Sequence, residues 1–453
     1  MQNSIIKVNR KFILLSLAGL FGLLIQARSQ TADTAFLQPE PRDWYTGDIH
    51  VHKNCGDGTA VWGEDKFSAM MKPNHLAVIS LLADMGNGEV KYSKADLPKV
   101  NGKDAPESGA GHIIHWDAEW HWDATYANFG HEALGGHLVL LGLKNSHQIW
   151  DESDYKILDW AKQQGAVKGF AHFEYLKDSF QNTLNCCIPV EYPVEAALGT
   201  IDFISEDVFG STSPNNGNYN SEAVIHAYYK LLNCGFKLGL AAGTDFPCNE
   251  LEPLGTLLTY VKVSDKLTYD KWIQGIKAGR TVVSRNGHNE FIDLKVAGDK
   301  IPGDELAFKG PKNISLSVIW TGSRDLSGTV ELVCNGKVIA SQQANVKAGK
   351  PFLFKTSYEI KQSSWICARR MDDKGHELHT APVYIIINKK PIRTNPEDAQ
   401  YFINWINRML EKTNRGGDWN RFFTHDLDVV QGRYQKAKLI YQKILLDAES
   451  KKN

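Results

Sequence analysis

The residues Gly47-Asp48-Ile49-His50-Val51-His52 carry the first recognisable chemistry of this chain. Alternate side chains of a strand share a face. An H-x-H at a strand end therefore aims two imidazoles into one small volume. Imidazole nitrogen is a common ligand for zinc, iron and related metals. The plain alternative is two histidines that pack or bond a backbone carbonyl. Context favours ligation, because acids and histidines recur downstream at the ends of apolar runs. Asp84 ends the run 75–83, Glu132 and His137 bracket the entry to 138–143, His172 ends 167–171, and Asp245 follows 239–244. Each alone reads as a cap or a satisfied core residue. Together they form a carboxylate and imidazole set that suits divalent zinc, manganese or iron. A carboxylate bridging two such ions is the usual way to make a hydroxide at neutral pH.

The elements that must position these groups alternate in the first half. Apolar runs at 75–83, 137–143, 167–172, 201–205 and 237–242 are separated by helical stretches at 62–71, 153–164, 190–198 and 221–233. Strand-helix alternation with apolar strands predicts a parallel sheet, open or closed into a barrel. Residues 101–136 break the rhythm and read as a long insertion rich in Gly, His and Trp. Its His115, Trp116, Trp120, His121 and Trp122 read as a substrate wall or a packed flap. Asp117 and Glu119 are extra acids that nothing in the sequence places near the others. After about Asn289, short alternating strands at 292–296, 314–320, 328–333, 352–360, 364–370 and 380–387 predict a β-sandwich, with Asn335-Gly336 as a hairpin turn. From Asn395 the pattern turns helical. Pro396-Glu397-Asp398 opens one helix, and a second spans 426–447. Both late regions read as scaffold.

Residues 1–29 have the layout of a secretory signal peptide: Lys7, Arg10 and Lys11, an apolar run from Phe12 to Ile25, then Ala27-Arg28-Ser29. The run is shorter than the roughly 20 residues a membrane span needs. A periplasmic or secreted protein without stable membrane insertion is expected. Removing the segment leaves 47 Lys+Arg against 52 Asp+Glu, a balance that gives no support for nucleic-acid binding. The expected partner is a small molecule. Seven cysteines in an oxidising compartment suggest pairing, with Cys334 and Cys367 as one candidate bridge and Cys186, Cys187 and Cys248 as further candidates. Arg285-Asn286-Gly287-His288-Asn289-Glu290 reads two ways. Arg285 can hold a substrate oxygen with His288 as a catalytic partner, or the segment is a salt-bridged turn between domains.

The ordered set G-D-I-H-V-H, Asp84, Gly130-His131-Glu132, Gly136-His137-Leu138, Gly169-Phe170-Ala171-His172 and Gly243-Thr244-Asp245 resembles the PHP (polymerase and histidinol phosphatase) superfamily. The likeness continues through Arg280-Thr281-Val282-Val283-Ser284-Arg285-Asn286-Gly287, Ile301-Pro302-Gly303-Asp304 and the final helices. That layout is similar to the CehA/McbA, carbaryl-esterase-like branch. The resemblance implies an α/β fold: a distorted (β/α)7 barrel over 30–290, a β-sandwich over 291–390 and a helical tail over 391–453. It implies that His50, His52 and Asp245 bind a first metal, and that Glu132 bridges to a second held by His137 and His172. A third site is not expected, because Met85 and Pro247 stand where that site's histidines belong. This frees Asp57 to orient or deprotonate a water. Asp84 stays in the candidate ligand set, with a structural hydrogen bond as its other role. The implied function is an exported hydrolase with about two divalent ions (Zn, Mn or Fe) acting on an ester, carbamate or phosphoester. The alternative is a non-catalytic ligand- or glycan-binding protein on a degenerate PHP barrel.

Overall fold

Short runs of β-branched and aliphatic residues pair edge to edge along most of this chain. The structure is a computed structural model. It describes residues 36–53, 62–86, 93–121, 136–147, 153–171, 173, 179–180, 188–207, 223–248, 253–373, 375–423 and 425–450. The candidates Asp57, Glu132 and His172, and the expected signal segment, lie outside the described residues. Residues Gln38–Asn453 form one compact unit.

In chain order the first half holds β1 (Trp44–His52), α1 (Glu64–Met71), β2 (Val78–Gly86), α2 (Ser93–Asp96), β3 (Ile113–His121), β4 (His137–Leu141), α3 (Asp154–Gln163), β5 (Val167–Phe170), α4 (Tyr192–Leu198), β6 (Phe203–Asp207), α5 (Ala223–Asn233), β7 (Gly239–Gly243), β8 (Leu258–Lys262), α6 (Tyr269–Lys277) and β9 (Thr281–Ser284). The second half holds β10 (Glu290–Val296), β11 (Glu305–Phe308), β12 (Lys312–Gly322), β13 (Leu326–Cys334), β14 (Lys337–Val346), β15 (Phe352–Ile360), β16 (Ser364–Asp372), β17 (Gly375–Thr380), β18 (Val383–Ile387), α7 (Pro396–Thr413) and α8 (Leu427–Glu449).

The assembly of these elements corrects the expected (β/α)7 barrel. Among the described residues one 15-stranded mixed sheet runs β11-β18-β16-β17-β9-β8-β1-β2-β3-β4-β5-β6-β7, with β13 beside β16 and β14 beside β13. The pairs β1–β2, β2–β3, β5–β6 and β6–β7 are parallel. The pairs β1–β8, β3–β4, β4–β5 and β8–β9 are antiparallel, which a barrel of βα units does not allow. Alternating apolar strands and helices show only that strands are covered on both faces. They do not set strand direction. The later strands are not sheet-wise separate either, since β9 pairs with β17 at Leu378↔Ser284 and Thr380↔Val282. A second sheet, β10-β12-β15, makes this half sandwich-like. Leu316, Val318 and Trp320 of β12 share one buried cluster with Val330, Leu332 and Ile366 of the large sheet.

The expected Cys334–Cys367 bridge is also corrected, since both are buried thiols. Cys367 lies opposite Val333, and Cys334 opposite Ile366. Directly opposed residues share a face, so this one-residue offset sends the two sulfurs to opposite faces.

The C-terminal pair docks by an amphipathic stripe. Asn395 caps α7 by accepting from the Glu397 amide at 3.3 Å, and Pro396 supplies a pre-set first turn. Ala399, Phe402, Ile406 and Met409 are buried along one side, each large side chain contributing about 1.5–3 kcal/mol. Tyr441 of α8 donates to the Pro193 carbonyl at 2.8 Å, and Trp405 of α7 donates to the Val190 carbonyl at 2.9 Å. Between α3, α4 and α8 lies a buried acid cluster of Asp154, Glu191 and Glu195, served by the single guanidinium of Arg433, whose Nη2 is 2.5 Å from Glu195 Oε2. Tyr434 donates to Glu191, and Thr200 to Glu195. Burial, then the Glu191 charge, pushes Asp154 well above the carboxylate range. Burial, then the Asp154 charge, pushes Glu195 up to about 7. The folded chain thus binds protons that the unfolded chain releases, so stability falls as pH rises from the ordinary carboxylate range towards 7. Asp154→Asn removes the need to take up a proton on folding and keeps a hydrogen-bonding group beside Glu191. The expected result is a melting temperature raised at pH 8, little changed at pH 5, and a flatter profile between. Equal shifts at both pH values in scanning calorimetry would refute this account.

Among the described residues no helix is long and apolar enough to cross a membrane.

Candidate metal centre

The strand ends bring part of the expected ligand set together. In the β1–β2 pairing, three steps along β1 from Asp48 to Val51 match two along β2 from Ile79 to Leu81. One extra residue is thus accommodated within the H-x-H segment, and such a bulge re-aims side chains next to functional sites. After it, His52 lies opposite Leu82. In the next pair Asp84 lies directly opposite Glu119 of β3, and β3 returns to β4 with His121 opposite His137. The end of β1 also meets the segment after β7. The His52 amide donates to the Phe246 carbonyl at 2.6 Å, and Val51 bridges to Phe246.

Asp48 ties those two segments. Its carboxylate accepts from the His50 amide at 3.0 Å, the Thr244 amide at 3.0 Å and the Thr244 hydroxyl at 2.5 Å. Burial raises its pKa to about 7, although these donors pull the other way. Gly243 permits the approach: a Cβ there would lie 2.8 Å from the His50 nitrogen. Asp245 holds φ +54°, a left-handed conformation that is uncommon for a residue with a side chain.

Four donor atoms converge as a result. His50 Nε2 is 3.1 Å from His52 Nε2. Glu119 Oε2 lies 3.4 Å from His50 Nε2 and 3.0 Å from His52 Nε2. Asp245 Oδ1 lies 3.4 Å from each of the same nitrogens. Ligands of one tetrahedral ion with bonds of about 2.0–2.1 Å stand about 3.3 Å apart. The distances of each carboxylate oxygen to the two imidazoles therefore suit a cation, and His50, His52 and Glu119 form a buried group that could hold one. The other oxygen of Glu119 turns away from this set: Oε1 is 2.9 Å from His137 Nδ1. Asp84 Oδ1 stands 3.5 Å from His52 Nδ1, a ring nitrogen that makes no hydrogen bond. Burial works to lower the His52 pKa, but the Asp84 carboxylate and then Glu119 outweigh it and lift it to about 9. A buried imidazole pair facing carboxylates in this way could hold a cation.

Of the sequence candidates, His50, His52, Asp84, His137 and Asp245 thus come to one edge of the sheet. His288 does not. Its Nε2 is 2.7 Å from Glu40 and its Nδ1 is 3.1 Å from the His75 carbonyl. His75 precedes the first residue of β2, and Asp84 lies six residues beyond Val78, about 20 Å along a strand. Arg285 is half-buried, its amide donates to the Glu377 carbonyl, and its charge acts on the buried Glu206–His376 pair. The neighbouring Glu290 is fully buried and bonded to Arg370 and Trp320.

The sequence left Glu119 unplaced because 101–136 read as an insertion. That segment contributes β3, a strand in the middle of the sheet. The signal was present: His115, Asp117, Glu119 and His121 alternate with Trp116, Ala118 and Trp120, a strand period with a polar face. Trp116 and Trp120 belong to the buried core, so neither is a substrate wall.

No family model matches the chain, and no curated protein matches it. Among solved structures, a CARDB domain from Pyrococcus furiosus in complex with di-metal ions is 12% identical, covering 22% of this chain and 88% of that one, with a TM-score of 0.17. A β-glucosidase from Listeria innocua in complex with glucose is 7% identical over 22% of this chain and 16% of its own, with a TM-score of 0.15. A β-glucosidase from Erythrobacter marinus is 10% identical over 69% of this chain and 47% of its own, with a TM-score of 0.15. Likeness at this level carries no argument about fold or function.

Proposed function

We propose that the chain is a metal-dependent hydrolase that uses water on an ester, carbamate or phosphoester bond, as the PHP-like motifs imply. The observation that supports this most is the divided carboxylate of Glu119. One oxygen faces the His50, His52 and Asp245 set and the other faces His137. A carboxylate so placed suits two adjacent divalent ions, of the zinc, manganese or iron class. Such ions supply a Lewis acid for the substrate oxygen and a nucleophile at neutral pH. The protein's own part is to fix the donors. Asp48 locks the backbone of His50 and Thr244, and so sets His50 against Asp245. Asp84 draws a proton to His52 Nδ1, leaving Nε2 as the ligating nitrogen. Burial of His50, His52 and Glu119 excludes competing water from the donor atoms.

The test is metal content per chain by plasma mass spectrometry, beside a His50→Ala/His52→Ala variant. Roughly two ions in the parent and fewer than about one in the variant are expected. Nitrophenyl acetate, a naphthyl carbamate and nitrophenyl phosphate are then screened with the loaded protein. Absence of metal above the control after reconstitution with zinc, manganese and iron overturns the reading. A loaded protein inert towards all three classes would point to ligand binding.

A further inference from the structure

Cys248 lies three residues past Asp245 and belongs to none of the roles assigned so far. The residue is exposed. Two local features fold it back onto the centre: the left-handed φ of Asp245, and a turn in which the Cys248 amide donates to the Asp245 carbonyl at 2.8 Å. In consequence the sulfur and one ligand atom each of His52 and Asp245 lie within 4.8 Å of one another. That triad shares His52 with the buried His50, His52 and Glu119 group, and Cys248 is its most exposed member. His52 is 2% exposed, so its ligand nitrogen is shielded from bulk water.

We infer that Cys248 is a thiolate donor to the cation held by His52 and Asp245. This rests on the metal-centre reading and deepens it by naming the class of ion. Thiolate is a soft ligand that takes zinc, copper(I) and iron and has little use for magnesium or calcium. A centre of imidazole, carboxylate and thiolate therefore selects a zinc-class ion, in contrast to the manganese that histidine and carboxylate alone would also accept. The thiol proton leaves to solvent as the sulfur–metal bond forms. Substrate must then enter beside the sulfur or displace it, because Cys248 occupies the exposed side.

The experiment uses the full chain loaded with cobalt(II) or with zinc, with bound metal quantified on the same samples. Cobalt gives a near-ultraviolet sulfur-to-metal charge-transfer band only where thiolate is a ligand. The parent is expected to show the band. Cys248→Ser is expected to lose it while retaining cobalt and the visible bands of the remaining ligands. Alkylation of Cys248 by iodoacetamide, followed by peptide mass spectrometry, needs no variant. Saturating zinc should slow it roughly tenfold or more, because a bound thiolate is a poor nucleophile. Full cobalt loading with no sulfur band and unchanged alkylation overturns the inference and leaves the metal-centre reading intact. Failure to bind cobalt or zinc at all removes both.

Discussion

Glu119→Gln is expected to lower metal affinity by at least about 100-fold, beyond the 10–100-fold that loss of an outer hydrogen-bonding partner costs. Metal-dependent hydrolysis should fall with it. The substitution keeps the volume of the side chain and one carbonyl oxygen but removes the charge that faces three imidazoles at 3.4, 3.0 and 2.9 Å. An amide cannot serve two cations at once. The fold should survive, because Glu119 sits among polar groups and its strand is held by Trp116, Ala118 and Trp120 on the other face. The comparison variant is Glu132→Gln, the acid that the motif order assigned as the bridge. Titration calorimetry with zinc reads both. Parent affinity in Glu119→Gln, with loss in Glu132→Gln, would return the bridging role to the sequence assignment.

Arg370→Leu should destabilise the protein by about 3–5 kcal/mol, the range for removing one partner of a buried ion pair. Glu290 of β10 is fully buried and Arg370 of β16 is 2% exposed. Arg370 Nε donates to Glu290 Oε2 at 2.9 Å and Nη2 donates to Oε1, a two-pronged pairing across the two sheets. Trp320 Nε1 and Asn286 Nδ2 fill the remaining positions at 2.8 and 2.7 Å. Without the guanidinium the carboxylate stays buried with only neutral donors. The charge-free pair Arg370→Leu/Glu290→Gln should recover a large part of the loss, because the penalty is the stranded charge rather than the lost contact. Urea unfolding of the parent and both variants measures it. Equal losses in the single and double variants would mean that packing of the Arg370 stem dominates.

Both predictions depend on strand neighbours that lie far apart in sequence. Glu290 shares with Arg285 and His288 a six-residue segment that the sequence leaves open between a substrate contact and a salt-bridged turn. The fold separates the three: Glu290 goes to the inter-sheet pair, Arg285 towards Glu206, and His288 to Glu40 near the start of β2. Residues adjacent in a turn point in different directions, and spacing alone does not say which of them meets a distant partner.

The sequence by itself determined the local elements and the nucleus of the site. Period-2 and period-3.6 patterns place β12, β15, α3 and α7 close to where they occur, because those patterns express burial on one face. The H-x-H at the end of β1, together with Asp84, His137 and Asp245 at strand ends, named five of the six side chains that meet. Only the tertiary structure decided the rest. Strand direction and sheet order come from non-local hydrogen bonds that apolar patterning does not encode, so a mixed 15-stranded sheet stands where parallel βα units were expected. Glu119 joined the site only when β3 took its place between β2 and β4, because the strand period of 115–121 does not say which strands flank it. Its charge has meaning only opposite Asp84 and beside three histidines that other strands supply.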